Sequence, residues 1–147
     1  MKPFFSTQER KDELYKVLVS WKDTPFKHHT GVKHLGVDCA FFIGCVLVEL
    51  GIINNFKVTD YSTDFHLHSS DEGFANHLRN HPLIQEVGFG NPMNGDILLY
   101  KFGKISAHAA FYFDGYAWQS RSRIGVEKFH WSLDYKRLTY GFRLMEE

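Results

Sequence analysis

Cysteine is scarce: two in 147 residues, Cys39 and Cys45, six positions apart. On one helix those side chains stand about 240° apart at roughly 100° per residue, so they do not pair with each other. Nor is the spacing a C-x-x-C metal or redox signal. A disulfide framework is excluded, and whatever Cys39 does it does as a free thiol. An excess of either charge is missing too. Lys plus Arg and Asp plus Glu are 17 each, which points away from nucleic acid and from an anionic membrane. No hydrophobic run is long enough to span a bilayer, the longest being Ala40 to Leu50, so membrane insertion is not expected. The opening "MKPFFSTQERKDEL" turns charged before the apolar region of a secretory signal can form. The chain is therefore expected to be made in a cytoplasm without a signal peptide, with a non-classical exit left open. Linkers, repeats and low-complexity stretches are absent. With 44% apolar residues, one domain over 1–147 with a single core is expected.

What is present divides into two textures. "STQERKDELYKVLVSW" reads as a first helix, with Ser6 and Glu9 in capping-box spacing and Leu14, Val17, Leu18 and Trp21 on one face. "KDTPFKHHTGVKHLG" reads as a loop. Asp38 can cap a second helix that is apolar nearly all round, hence central and buried, and that ends at Gly51. A shorter third helix is expected from Ser70 to about Asn80, stopped by Pro82. After Gly95 the segments "DILLYKF", "HAAFYF", "YAWQS", "GVEKFHW" and "TYGFRLM" are short, aromatic-rich and separated by turn residues, the pattern of an antiparallel sheet. Helices first and strands second make an α+β fold. The 16% aromatic content needs only a core to explain it.

Cys39 stands at the first turn of the second helix, where unpaired N–H groups and the macrodipole favour a negative sulfur. Cys45, mid-helix among Ile43, Val46 and Leu47, reads as a structural thiol. A nucleophile needs a base, and His108 is the candidate. In "HAAFYFDGYAWQS" the dipeptide Asp114-Gly115 is a two-residue hairpin turn. That turn sets Phe113 against Tyr116, Tyr112 against Ala117, Phe111 against Trp118 and Ala110 against Gln119. His108 and Gln119 then share one face as diagonal neighbours, within reach of an amide and an imidazole. Such an orienter fixes the imidazole tautomer and leaves the other ring nitrogen for a nucleophile.

Taken together, "SWKDTPFKHH", "GVDCAFFIGCVLVELG" and "NGDILLYKFGKISAHAAFYFDGYAWQS" resemble the NlpC-type cysteine peptidases of papain-like fold, in particular the compact phage-tail and gene-transfer-agent branch. Trp21, Thr24-Pro25-Phe26, Asp38-Cys39, Asn94-Gly95-Asp96 and His108 stand in that family's order and spacing. The resemblance runs from Trp21 to Gln119 and loosely on to the last strand. It implies Cys39 as nucleophile, His108 as base and Gln119 at the third polar position, where the family often has histidine. His28 falls where secreted members carry an aromatic beside the oxyanion site, as an oxyanion-side donor or as an exposed loop residue. Asp38 reads as a helix cap beside the nucleophile, at the mouth of the substrate site. Arg121, with Arg123 in "SRSR", could bind a substrate carboxylate or belong to a solvated loop.

No cofactor and no metal are expected: the pairs His66/His68 and His77/His81 lack further ligands at a metal-site spacing, and HExxH is absent. The resemblance implies thiol-dependent cleavage of a peptidoglycan stem peptide at a γ-D-glutamyl to diamino-acid bond. Acyl transfer, deamidation and an inactive tail-assembly module are the alternatives. Without a signal or a wall-binding module, delivery to the periplasm is expected to need a partner, a phage tail or a secretion device.

Overall fold

In a computed structural model of the chain, residues 1–54, 73–102 and 106–147 are described. Helix α1 spans Gln8–Trp21 and buries Leu14, Leu18 and Trp21 on one face. Its cap is Thr7, whose hydroxyl accepts from the Arg10 N–H at 3.2 Å. That corrects the Ser6 capping box by one residue. Thr7 already has the extended backbone a cap requires (φ −102°, ψ 154°), so the helix starts behind it.

Helix α2, Cys39–Glu49, buries seven of its eleven residues, Ala40, Phe41, Phe42, Ile43, Gly44, Val46 and Leu47. It runs through the middle of the core, as its all-round apolar surface dictates. It ends as expected, with Gly51 at φ +74°, the left-handed residue that follows a helix C-cap. Trp21 Nε1 donates to Glu49 Oε1 at 2.7 Å and ties α1 to α2. Helix α3 is Gly73–Arg79. The expected start of that helix at Ser70 and the histidines His66 and His68 lie outside the described residues.

The described residues hold nine strands: β1 (Lys2–Pro3), β2 (Gly31–Val32), β3 (Gly36–Val37), β4 (Ile84–Val87), β5 (Ile97–Lys101), β6 (Ser106–Phe113), β7 (Tyr116–Arg121), β8 (Gly125–His130) and β9 (Leu138–Glu146). The main sheet has the order β1-β9-β5-β6-β7-β8, with β4 also on β9, and every pairing is antiparallel. All five aromatic-rich segments are strands. The segment before α2, read as a plain loop, instead contains the two-stranded ribbon β2–β3. Two-residue strands carry no periodic signal, so sequence pattern does not reveal them.

Alternation along the strands builds two faces. Ile97, Leu99, Phe111, Phe113, Trp118, Val126, Phe142 and Leu144 pack with α1, α2 and α3 in the main core. Leu98, Tyr100, Ala110, Ala117 and Leu138 form a smaller cluster on the other face, partly covered by Tyr112 and Trp131. Removing a side chain such as Phe111 or Phe42 from water contributes about 2–3 kcal/mol.

The motif residues outside the hairpin hold this frame together. Asp96, 1% exposed, takes a two-pronged ion pair from Arg143 of β9 at 2.8 and 2.9 Å and accepts the Met93 N–H. Asn94 clamps the β6–β7 turn, giving and taking one hydrogen bond each with Asp114 at 2.8 Å. Thr24, fully buried, accepts the His34 N–H on its hydroxyl and the Val126 N–H on its carbonyl.

Candidate active site

The hairpin turns at Asp114 (φ +46°) and Gly115 (φ +90°), the double left-handed geometry that an Asp-Gly pair accepts at low cost. Its register is the one the turn dictates: Phe113 opposite Tyr116, Tyr112 opposite Ala117, Phe111 opposite Trp118. There the ladder stops, so the expected Ala110–Gln119 pair is not formed, and Gln119 pairs with Glu127 of β8 instead. β7 continues to Arg121 but pairs only with β8 beyond Trp118, while β6 continues back to Ser106 paired only with β5. The two strands splay, and the N-terminus of α2 fills the gap.

Three contacts seat it. Ser120 Oγ of β7 donates to Val37 O at 2.7 Å, the Val37 N–H donates to Pro25 O at 2.9 Å, and Asp38 caps the helix through the Phe41 N–H at 2.8 Å. The other Asp38 oxygen takes the His29 N–H at 2.8 Å. Both oxygens thus serve backbone donors, and Asp38 is a cap and a loop anchor rather than an acid aimed at substrate.

The sulfur of Cys39 faces the backbone N–H of Ala109. Tyr112 exchanges its backbone bonds with Gly95 and Asp96 on the β5 side, so by the period of two the Ala109 N–H points to the β7 side, where the strands have parted. The thiol occupies a ladder position that β7 has vacated. Ala109 follows His108, so the sulfur meets the β6 backbone one residue from the histidine.

His108 Nε2 and Gln119 Oε1 are 2.6 Å apart. Gln119 is 2% exposed, and its Nε2 donates to Ala117 O at 3.1 Å. With the amide nitrogen spent there, the oxygen is the atom facing the ring. His108 must carry its proton on Nε2, which leaves the Nδ1 lone pair for another partner. The ring packs against Tyr100 and, edge to face at 5.2 Å, against Phe102. Beside it the β5–β6 register shifts, Tyr100 pairing with His108 but Lys101 with Ser106, so β6 carries one extra residue, Ala107, next to the histidine.

Electrostatics correct one expectation. Burial pushes the Cys39 thiol up to about 12, and the Asp38 carboxylate acts in the same direction; the N–H groups of Ala109, Ala40 and Cys39 oppose them. Burial also holds the His108 imidazole down to about 4, against the Gln119 hydrogen bond. Both shifts favour the uncharged forms, a thiol at Cys39 and a neutral imidazole at His108. Cys39 as a whole is half-buried, but its sulfur is turned against the β6 backbone, and desolvation there outweighs the helix terminus. Cys45 is pushed up to about 11, chiefly by burial, and its sulfur lies 3.8 Å from Gly31 O.

The remaining sequence candidates fall nearby but do other work. Arg121 is not part of a solvated loop. It closes β7, pairs with Asp134 at 2.9 Å, and lies 5.5 and 5.2 Å from the Phe102 and Phe129 rings. Its charge lowers the His108 pKa and that of Asp134 raises it. His28 is exposed, set against Phe26 at 5.1 Å, one residue from the His29–Asp38 tie. His81 accepts the Leu83 N–H on Nδ1. Among the described residues no group of three or more His, Cys, Asp or Glu could hold a metal ion, and no helix is long and apolar enough to cross a membrane. The Ala109 N–H and Asp134 had escaped the sequence reading: a main-chain donor leaves no residue-type signal, and Asp134 stands at no motif spacing.

No family model and no curated protein sequence matches the chain. Solved structures do. The NlpC/p60 domain of the peptidoglycan hydrolase SagA superposes with a TM-score of 0.61 at 10% identity, over 89% of this chain and 96% of that one. A lipoprotein-like protein of the NLP/P60 family from Staphylococcus aureus superposes with a TM-score of 0.66 at 14% identity, over 99% of this chain. This chain spans 44% of that protein's length. The fold is therefore the α+β, papain-like arrangement of NlpC/p60 structures.

Proposed function

We propose that the protein is a thiol-dependent amidohydrolase that cuts peptidoglycan stem peptides, with the γ-D-glutamyl to diamino-acid amide as the bond. One observation carries the reading: a helix-terminal thiol lodged between splayed strands, one residue along β6 from an imidazole whose tautomer Gln119 fixes. The likeness to NlpC/p60 structures supports the substrate class.

The chemistry follows from the neutral resting pair. As Cys39 Sγ attacks the carbonyl carbon, its proton passes to His108 Nδ1, and negative charge develops on the carbonyl oxygen. The Cys39 backbone N–H, at the start of α2 and beside the sulfur, is the proposed donor to that oxygen. Collapse breaks the C–N bond, and the imidazolium protonates the departing amine. Water then attacks the thioester, giving one proton to His108. Release of the carboxylic product returns the thiol.

Digestion of purified sacculi, with the released muropeptides identified by mass, tests the reading. The wild type is expected to release peptides ending in D-glutamate, and Cys39→Ala none. Equal release by the alanine variant removes the proposed nucleophile. Expressed behind an added export signal, the protein is expected to lyse or deform cells only with Cys39 intact. The same effect from the unexported form points instead to an intracellular amide or acyl substrate.

A further inference from the structure

An open cleft of about 460 Å³ lies between α1 and the tip of the β6–β7 hairpin, away from the His108–Gln119 pair. One wall is aromatic. Tyr15, 43% exposed, stands 5.2 Å from the Phe113 ring and 6.2 Å from that of Trp118, both of which are nearly buried. The rim carries two carboxylate–amide pairs, Asp12 with Gln8 and Asp114 with Asn94, each joined at 2.8 Å. Each pair holds planar polar groups in place and leaves a second carboxylate oxygen outside its internal bond.

A part-exposed tyrosine ring beside fixed planar acceptors suits a pyranose. The C–H face of a sugar covers the ring, and its equatorial hydroxyls donate to the carboxylates. A peptide would leave its main-chain N–H and C=O groups without a strand edge to pair with, since β6 and β7 are already paired at this end.

We infer that this cleft binds the N-acetylhexosamine backbone to which the cleaved peptide is attached, an inference that rests on the peptidoglycan reading above. Its position fits. From Ala109, which faces the sulfur, to Phe113, which lines the cleft, is four strand residues, about 13 Å. A lactyl group and two residues, one joined through its longer γ-arm, span about 11–14 Å when extended. A sugar in the cleft and the scissile amide at Cys39 are the two ends of one substrate.

The test uses wild-type protein and chitopentaose, a peptide-free N-acetylglucosamine oligomer, in an NMR titration. Saturable shifts at the Tyr15, Phe113 and Trp118 resonances are expected. Tyr15→Ala should weaken binding by roughly tenfold or more and Asp12→Asn should weaken it too, while Tyr135→Ala, an exposed tyrosine elsewhere, changes nothing. Kinetics supply the second arm. Tyr15→Ala should raise KM for glycan-linked stem peptide and leave both kcat and the cleavage of free peptide unchanged. No saturable binding, binding indifferent to Tyr15→Ala, or an equal effect on free peptide overturns the cleft assignment while the amidohydrolase reading stands. Failure of the wild type to cleave either peptide removes that reading, and the titration alone then decides whether the cleft holds sugar.

Discussion

Gln119 reaches His108 from a stretch of β7 that no longer pairs with β6, closing to 2.6 Å while its amide nitrogen holds Ala117 O. The glutamine therefore acts twice, fixing the ring proton on Nε2 and aiming Nδ1. Gln119→Ala should lower kcat by about 10–100-fold with little change in KM, because the tautomer and ring angle are lost but substrate contacts remain. Steady-state kinetics on a defined stem peptide check this, and a change confined to KM counts against the positioning role.

Gln119→Glu tests the electrostatics of the same contact. A carboxylate beside the ring favours imidazolium, so the His108 pKa should rise well above about 4. NMR titration of the ring carbon signals reads it directly. In the wild type the ring should stay neutral from pH 7 to about 5; a midpoint near 6.5 refutes the buried, neutral imidazole.

Folding stability should carry the same signature. The folded-state pKa of His108 lies below the unfolded value, so the unfolded chain binds the proton first as pH falls. The contribution is complete above about 6.5 and is lost progressively as pH drops through about 4, by ~3 kcal/mol at most. Denaturant melts at pH 7 and 4.5 should show a smaller loss in His108→Gln than in the wild type.

Neither cysteine is a resting thiolate, so neutral-pH alkylation by iodoacetamide should be slow at both compared with a free thiol. Labelling of Cys39 should fall further in His108→Ala, which removes the base, while Cys45 labelling stays the same. Peptide mapping after timed labelling separates the two. Fast Cys39 labelling that survives loss of His108 restores the thiolate model.

Asp96→Ala strands the Arg143 guanidinium on β9 and frees the Met93 N–H. A loss of about 2–4 kcal/mol is expected, with Tm lowered by roughly 5–10 °C. Arg143→Lys should cost less, since the charge remains and only the fork geometry is lost. Thermal melts of the two variants settle the order.

The hairpin was legible because an Asp-Gly turn with alternating flanks fixes the register as far as Phe111–Trp118, and the same alternation kept His108 and Gln119 within reach after the strands part. Cys39 at the start of α2 was legible from Asp38 ahead of an apolar run. What failed did so for definable reasons. The protonation state of Cys39 depends on desolvation of its sulfur against β6, a tertiary fact that outweighs the local helix terminus. The ion pair of Arg121 with Asp134 left no sequence signal, because the two stand 13 residues apart at no motif spacing. The shift of the first cap from Ser6 to Thr7 is the ordinary competition between neighbouring hydroxyl residues for one helix end.

The seating of α2 by Ser120 on Val37 joins positions 83 residues apart. On a ribosome, where the chain is made from its N-terminus, the thiol and its helix emerge long before the strand that locks them in place. Until β7 closes, Cys39 has no ring beside it, no Ala109 N–H and no defined carbonyl pocket. The same wedge that builds the site thus keeps the nascent chain inert: a synthesis product ending before Ser120 is expected to be a harmless thiol, and activity to switch on only when folding is nearly complete.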